Sequence, residues 1–372
     1  MKQKTNKLLL LLILIPVLVF PQAQSTFYEH YTGLISRKDK ADSDLKITAD
    51  LVRTEKTFSG FYYYQFNEEG MPVSSQPIAL DGHIDADNHF VLNEFGLGTS
   101  FFQGTLESTK LINGKWHNKM LKIPVDFTLK ATYSQASIPM KAFEYTSKKY
   151  FNDDKSQPTA SYHLNVLFPS SVIDDATYHQ LMLRIYKLIG YRGELNKKEN
   201  IISSLKESFF KQFQSSLQNI QTDSFNTSFN WEKSIRVDVI NNENSLLCLQ
   251  VETYAKTGRR DGSKVVKYLV FDVLENKVIK ISEIVSADKQ PLLNALLQEK
   301  IRTHYHIKAE KSLTDMGFFQ DSITATRNFY MHPGGLGFYY NVYEIAPFSN
   351  GPTDLFIPWT QLEGILKSPF VQ

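Results

Sequence analysis

The sequence contains one cysteine, Cys248, among its 372 residues. A single cysteine excludes an intrachain disulfide. Cys248 lies between leucines in residues 246–249, so we expect it to pack as a small apolar side chain in a strand. No cysteine follows the N-terminal apolar run, so the chain offers no acceptor for the lipid of a lipoprotein.

The chain also has little net charge. Its 41 Lys and Arg residues nearly balance its 39 Asp and Glu residues, which gives a formal charge of +2. Residues 1–23 carry three lysines, so their removal would change this charge to 2 − 3 = −1. Nucleic acids and anionic lipids attract clustered Lys and Arg, so the balanced charge argues against a nucleic-acid partner.

The N-terminal apolar run is too short to anchor the chain in a membrane. It covers residues 8–20, which are 13 residues, whereas a membrane-spanning helix needs about 20. Three lysines precede the run and Ala23 follows it, a pattern typical of a secretory signal peptide at residues 1–23. We therefore expect an exported, periplasmic or extracellular protein that is not a lipoprotein and has no transmembrane helix after cleavage.

Motifs of common catalytic sites are missing as well. The sequence has no nucleophile elbow, no paired Cys and His of a protease, no His-Glu-x-x-His and no metal triad of a deacetylase. The glycine-rich residues 333–337 resemble a phosphate loop, but no lysine and no helix start follow them. The sequence therefore predicts a non-catalytic protein with no cofactor and no metal site.

The length predicts two domains, because about 350 mature residues exceed what one hydrophobic core usually serves. From residue 26 to 132, short alternating runs are separated by turn residues. Val125 and Phe127, for example, share one face of such a run, while Asp126 and Thr128 share the other. This period of two predicts strands with one buried and one wetted face. Eight predicted strands are centred on Tyr31, Ala49, Tyr62, Leu80, Leu92, Gly104, Lys115 and Phe127.

Eight consecutive strands most simply close into an up-and-down, lipocalin-like barrel at residues 25–133, because closure removes exposed edges. The polar residues 147–158 predict a loop. The predicted elements that follow are helices at residues 177–189 and 200–217, after Asp288 and at 359–366, with strands at 235–240, 246–254, 265–273, 325–331 and 337–343. This mixture predicts an α+β domain at residues 140–372.

Three patches of the second domain carry a family resemblance. They comprise Tyr340, Asn341, Val342, Tyr343, Glu344, Ile345, Ala346, Pro347, Phe348, Gly351, Phe356, Ile357, Pro358 and Leu362; Tyr268, Phe271, Asp272, Lys277, Ile279, Ile281 and Ile284; and Tyr162, Leu164 and Phe168. The domain resembles the extracellular part of RsiV-like, lysozyme-sensing anti-sigma factors and the non-catalytic N-terminal region of PdaC-like peptidoglycan deacetylases. This resemblance implies an α+β fold and a place at the cell wall, and the RsiV branch binds lysozyme.

The chain departs from this family at residues 257–262, which read Thr-Gly-Arg-Arg-Asp-Gly where the family usually has Gly-Gly-Ala-His. It also lacks the cytoplasmic and membrane-spanning segments of RsiV, so we expect no transmembrane signalling through it. The N-terminal domain is similar to a β-rich module of uncharacterised envelope proteins, which implies no activity. The residues that carry this second likeness are Gly60, Tyr62, Tyr64, Ile78, Leu80, Gly82, Phe102, Gly104, Gly114 and Trp116.

Two candidate binding features involve charge. Arg259, Arg260 and Asp261 form a predicted hairpin tip, where two guanidinium groups could grip a carboxylate or an acidic glycan. A solubilising turn is the alternative interpretation. Glu94 shares strand parity with Leu92, so we expect it to point into the barrel, where it would mark a ligand pocket.

A third candidate feature is aromatic. Tyr339, Tyr340, Tyr343 and Phe348 would form a surface suited to stacking on sugar rings, and core packing of alternate residues is the alternative. Two further clusters are interpreted as structural, namely the alternating acids and histidines of residues 81–89, which suit a solvated hairpin, and the histidines at 304 and 306, which suit a helix end.

These observations predict an exported cell-envelope binding protein. Its partner would be wall-associated, either a lysozyme-like protein or a peptidoglycan fragment. The first alternative is a lipocalin-like carrier of a small apolar ligand, because an eight-stranded barrel can hold one such molecule. The second alternative is a wall-acting hydrolase with an unfamiliar site.

Overall fold

The computed structural model describes residues 26–36, 44–55, 57–68, 70–95, 100–134, 137–170, 173–195, 197–221, 225–258 and 261–368. The predicted signal peptide at residues 1–23 and the arginines at 259 and 260 lie outside the described residues. Among the helices in the described segments, none combines the length and the apolar character needed to cross a membrane.

The N-terminal domain is a closed antiparallel β-barrel of eight strands, as predicted. Its strands are β1 (Phe27–Ser36), β2 (Leu45–Arg53), β3 (Thr57–Glu68), β5 (Ile78–Ile84), β6 (His89–Glu94), β7 (Phe101–Ser108), β8 (Leu111–His117) and β9 (Val125–Ala131), with β4 (Met71–Ser74) as a hairpin partner of β3. Each barrel strand pairs with the next one along the chain, and β9 returns to β1. All eight predicted strand centres fall inside these strands.

Apolar side chains fill the barrel. On β2, the alternate residues Ile47, Ala49 and Leu51 are buried in the interior, and Tyr62 of β3 meets Phe102 of β7 edge to face. The cavity that remains on the barrel axis has a volume of about 10 Å³. A space of this size holds one water molecule at most, so this cavity, as the described residues form it, leaves no room for a small apolar ligand.

The outer face of β1–β3 differs from the expectation of a wetted face. Tyr28, Val52 and Tyr63 point outward from the barrel, yet each is at most 5% exposed, because the second domain covers them. Consecutive residues of these strands are therefore both buried. Leu51 faces the barrel interior, for example, while its neighbour Val52 faces the core of the second domain.

The second domain is built on a six-stranded sheet. Its strands stand in the order β10 (Met140–Tyr150), β11 (Thr159–Pro169), β12 (Trp231–Glu243), β13 (Leu246–Thr257), β14 (Ser263–Asp272) and β15 (Lys277–Val278). Strands β11 and β12 are parallel and are joined through α1 (Asp175–Leu188) and α2 (Lys198–Leu217), as parallel neighbours require a crossover.

The two helices cover one face of this sheet. The side chain of Asp174 caps α1 by accepting a hydrogen bond from the backbone N–H of Thr177 at 2.9 Å. Leu181 and Ile185 of α1 and Phe213 of α2 are fully buried against the strands. This spacing gives each helix one apolar stripe that faces the sheet.

The other face of the sheet packs on a smaller α/β layer. This layer contains α3 (Ile281–Ile284), α4 (Gln290–His304) and the antiparallel strands β16 (Phe329–His332), β17 (Gly335–Tyr340) and β18 (Thr353–Pro358). Cys248 is fully buried in the core between the two layers, as its apolar surroundings predict. The α+β prediction for the second domain is thus confirmed.

Two local predictions are wrong. The loop predicted at residues 147–158 begins later, because β10 continues to Tyr150 before a short 3-10 turn at Phe151–Asp153. The helix predicted at residues 359–366 is only a 3-10 turn, Trp359–Gln361. Polar residues continue through the end of β10 at its exposed edge, and Gly364 takes a left-handed conformation with φ 74°, which a helix over residues 359–366 could not contain.

Candidate functional site

The predicted inward direction of Glu94 is found in the structure, but its role is structural. Glu94 is 7% exposed and accepts hydrogen bonds from Tyr62 Oη at 2.6 Å and from Trp116 Nε1 at 2.8 Å. The donors belong to β3 and β8, so the carboxylate of β6 links three strands of the barrel from its interior. Within the described residues, Glu94 does not line the small cavity that remains in the barrel.

The fold separates Tyr340 from the other aromatic residues predicted to share a surface, while Tyr343 and Phe348 remain together and exposed. Tyr340 is the last residue of β17 and is 3% exposed, with its hydroxyl donating to the carbonyl of Thr324. Tyr343 lies beyond the strand in a left-handed conformation, φ 67°, and pairs with Phe348 on the surface. The strand was predicted to reach residue 343, and its earlier end removes the shared face.

The charged candidates lie apart. Asp261 is exposed, and the neighbouring arginine pair is outside the described residues. Asp85, Asp87 and His89 bring ligand atoms within 4.8 Å of one another, but all three are exposed. Asp85 accepts from the backbone N–H of His89 at 2.8 Å, which is the solvated hairpin turn that the sequence suggested.

A buried polar cluster that the sequence did not reveal joins the barrel to the second domain. We call it the interdomain cluster, and it consists of Tyr28, His30, Asp50, Tyr63, Asn242 and Glu243. His30 is completely buried, with Nδ1 2.8 Å from Asp50 Oδ1 and Nε2 3.5 Å from Glu243 Oε1. The imidazole of β1 therefore lies between a carboxylate of the barrel and a carboxylate of β12.

The surroundings keep His30 charged. Burial lowers the pKa of its imidazole, but the nearby charges of Asp50 and Glu243 and the hydrogen bond with Asp50 outweigh burial and raise this pKa to about 10. Burial raises the pKa of Glu243, and the hydrogen bond from Tyr63 and the close contact with the charged His30 more than offset this effect, so the pKa of Glu243 is lowered. At neutral pH the cluster thus holds the imidazolium of His30 next to the carboxylate of Glu243.

Hydrogen bonds complete the cluster on both sides. Tyr28 Oη donates to Asp50 Oδ1 at 2.6 Å, and Tyr63 Oη donates to Glu243 Oε2 at 2.5 Å. Asn242 Nδ2 donates to Tyr28 Oη and to the carbonyl of Ile138, and its Oδ1 accepts from the backbone N–H of Ile138. A β-bulge just before Asn241 alters the alternation of β12, which is a common way to re-aim side chains.

A second ionic contact links the domains farther along β12. Arg236 Nε lies 2.9 Å from Oδ2 of Asp238, and its guanidinium also reaches Asp81 of the barrel at 3.5 Å. Asp238 is 1% exposed, and its burial raises the pKa of the carboxyl, although the nearby Arg236 opposes this effect. β12 thus carries charged contacts to the barrel near its middle, at Arg236, and at its C-terminal end, at Glu243.

An open groove begins at the interdomain cluster, since Glu243 belongs to both. This acidic groove has a volume of about 430 Å³ and is lined by Asn241, Glu243, Asn244, Ser245, Leu246, Asp272, Leu274, Glu275, Ile279, Met331, His332, Pro333 and Trp359. Three of these thirteen residues are carboxylates and none is a lysine or arginine. Leu274 is 75% exposed, and Trp359 is half-buried, so the groove also offers apolar contact area.

His332 anchors the groove against the barrel. It is 1% exposed, its Nδ1 accepts from the backbone N–H of Gly334 at 3.1 Å, and its ring meets the ring of Tyr63 edge to face at 4.6 Å. Burial lowers the pKa of His332 to about 3, so it is neutral at physiological pH. The carboxylates therefore set the charge of the groove.

Comparison with known proteins places part of this groove in a described family. Residues 282–360 match the family described as "Protein of unknown function (DUF3298)", and these residues supply Met331, His332, Pro333 and Trp359 to the groove. No curated protein matches the chain.

Two solved structures are similar to this chain. A member of the DUF3298 family from Bacteroides fragilis has 22% identity and a TM-score of 0.56, and the match covers 63% of this chain and 96% of that one. A DUF3298 family protein from Pseudomonas aeruginosa has 18% identity and a TM-score of 0.45 over the same shares. At these identities the first match supports the fold alone. The second domain of this chain therefore contains a DUF3298 domain, at residues 282–360.

Proposed function

We propose that this chain is an exported, non-catalytic binding protein of the cell envelope, and that the acidic groove recognises a wall-associated partner. The observation that carries this proposal is the groove itself, which combines three carboxylates with an exposed leucine and a half-buried tryptophan. Recognition surfaces commonly combine aromatic anchors with charged groups at the rim.

The charge of the groove favours a cationic partner. Asp272 and Glu275 face the groove without a basic side chain among its lining residues, whereas the charge of Glu243 is compensated by the imidazolium of His30 behind it. Complementary charge steers association and discriminates against partners of the same charge. Of the two partner classes that the RsiV-like resemblance suggests, a basic lysozyme-like protein fits this chemistry better than a peptidoglycan fragment rich in carboxylates.

Binding measurements with the full-length mature protein test this proposal. Calorimetry would titrate it with a basic lysozyme-like protein and, separately, with muropeptides, at low and high salt. The variant Asp272→Asn/Glu275→Gln removes two groove charges, and Glu310→Gln/Glu363→Gln removes two exposed charges elsewhere as its matched control. We expect the groove variant to bind the basic protein roughly three- to tenfold more weakly, as rim charges usually contribute 0.2–1 kcal/mol each.

Three outcomes would contradict the proposal. The first is binding of neither partner by the unmodified protein, and the second is equal weakening by the groove variant and the control variant. The third is clearing of a peptidoglycan zymogram, which would indicate a hydrolase. Preferential binding of muropeptides over the basic protein would reject the cationic partner and retain the groove.

Export is a separate part of the proposal and rests on the apolar run at residues 8–20. Fractionation of cells that produce the chain with a C-terminal tag would locate it. We expect the tagged protein outside the cytoplasm, with a mass reduced by about 23 residues. The intact chain in the cytosol would refute export.

A further inference from the structure

A basic groove lies on the second domain, on the β10 and α2 side of its sheet. It has a volume of about 620 Å³ and is lined by Ser147, Lys148, Lys149, Asp153, Lys206, Glu207, Phe210, Lys211 and Gln214. Four lysines stand against two carboxylates, so the lining carries a net positive charge. β10 is the edge strand of the sheet, and α2 forms the facing wall.

The lysines of this basic groove keep their charge available. Lys206 Nζ lies 5.8 Å from the ring centroid of Tyr145, and Lys148 Nζ lies 5.2 Å from that of Tyr150. An aromatic face attracts an ammonium group without neutralising it, so these contacts restrain the side chains while the positive charge remains. Within the described residues, the carboxylate of Glu207 accepts a hydrogen bond from Ser203 Oγ at 2.7 Å rather than from a lysine of the groove.

Protection of the sheet edge explains only two of the four lysines that line the basic groove. Lysines on an edge strand discourage pairing with strands of other molecules, which accounts for Lys148 and Lys149 on β10. Lys206 and Lys211 stand on α2, where no strand edge needs protection. Lys149 shares strand parity with Tyr145, whose ring Lys206 approaches, so Lys149 faces the helix lysines across the groove, whereas its neighbour Lys148 leaves the opposite face of the strand.

We propose that this basic groove binds a linear anionic glycan, whose carboxylate, phosphate or sulfate groups lie between the lysines of β10 and α2. A groove between a strand and a helix admits an extended chain, whereas a flat bilayer surface would meet only its rim. Lysine serves as a flexible point charge for anions and does not demand one planar geometry. The choice of a glycan over a nucleic acid rests on the proposed export, and the site is separate from the acidic groove.

The test compares two lysine variants of the full-length mature protein. Lys206→Gln/Lys211→Gln removes the helix side of the basic groove, and Lys119→Gln/Lys122→Gln removes two exposed lysines of the barrel as the matched control. The probes are a heparin hexasaccharide and neutral maltohexaose, with binding measured by calorimetry from 50 to 200 mM salt.

We expect the unmodified protein to bind the heparin hexasaccharide and not maltohexaose. The groove variant should bind roughly tenfold more weakly, and the slope of log K against log salt should be shallower by about 2, since each phosphate-type contact adds roughly one unit. The control variant should stay within about twofold, because it leaves the groove intact.

Several results would overturn the glycan proposal. Equal affinity of the groove variant and the unmodified protein would show that the groove is not the site. Tighter binding of a single-stranded hexanucleotide or of phosphatidylglycerol vesicles than of the hexasaccharide would reject the glycan as ligand class. Because the acidic-groove residues are untouched, retained binding of the basic partner by the lysine variant separates failure of this proposal from failure of the proposed function.

Discussion

The charged imidazole between the domains makes stability depend on pH in a specific direction. His30 has an ordinary pKa of 6.5, and the folded chain raises this pKa to about 10. A raised pKa means that the stabilisation is fully present below pH 6.5 and is lost as the pH rises toward 10. The loss proceeds at up to about 1.4 kcal/mol per pH unit, so the free energy of unfolding should fall by about 2 kcal/mol between pH 6.5 and 8.5.

Urea unfolding followed by tyrosine and tryptophan fluorescence, at pH 6.5, 7.5 and 8.5, measures this slope. The variant His30→Gln cannot take up the proton. The dependence of its free energy of unfolding on pH therefore comes only from the other groups that titrate in this range. If this variant fails to fold, His30→Gln/Asp50→Asn removes the opposite charge as well and serves in its place. Equal slopes for the unmodified protein and the variant would refute the assignment of the charge to His30.

Two further predictions concern the packing between and within the domains. A side chain at Gly334 would place its Cβ 2.6 Å from the carbonyl oxygen of Ser75 and 2.7 Å from that of Ser74. Gly334→Ala should therefore lower the free energy of unfolding in urea by about 1–3 kcal/mol. An unchanged midpoint of urea unfolding would contradict this close approach. Burial raises the pKa of the Cys248 thiol to about 12, so this thiol should not react with Ellman's reagent at pH 8 until the protein is unfolded, and fast reaction of the folded chain would exclude the buried position.

The barrel could be predicted from the sequence because its signal is local. The period of two is visible within the residues of single barrel strands, as Phe127 and Leu129 show on β9, and turn residues separate the strands. β10 was harder to recognise, because its exposed edge position allows polar residues such as Lys148 and Lys149. The alternation of apolar and polar residues is lost where both faces of a strand are exposed to solvent or where both are buried in different cores.

The interdomain cluster could not be predicted, because no local pattern marks it. His30 and Glu243 are more than two hundred positions apart and meet only through the packing of β12 against the barrel. The burial of Tyr340 could not be predicted for a different reason. The sequence predicts one strand that includes both Tyr340 and Tyr343. In the structure β17 ends at Tyr340, and Tyr343 has a left-handed backbone conformation.

The outward residues Tyr28 and Val52 belong to the same apolar core as the helices of the second domain. A chain cut after residue 134 would leave this patch bare to water and would leave His30 without Glu243. The barrel and the second domain should therefore unfold in one cooperative transition rather than independently. A barrel produced by truncation would tend to aggregate, so its behaviour would say little about the barrel in the whole protein.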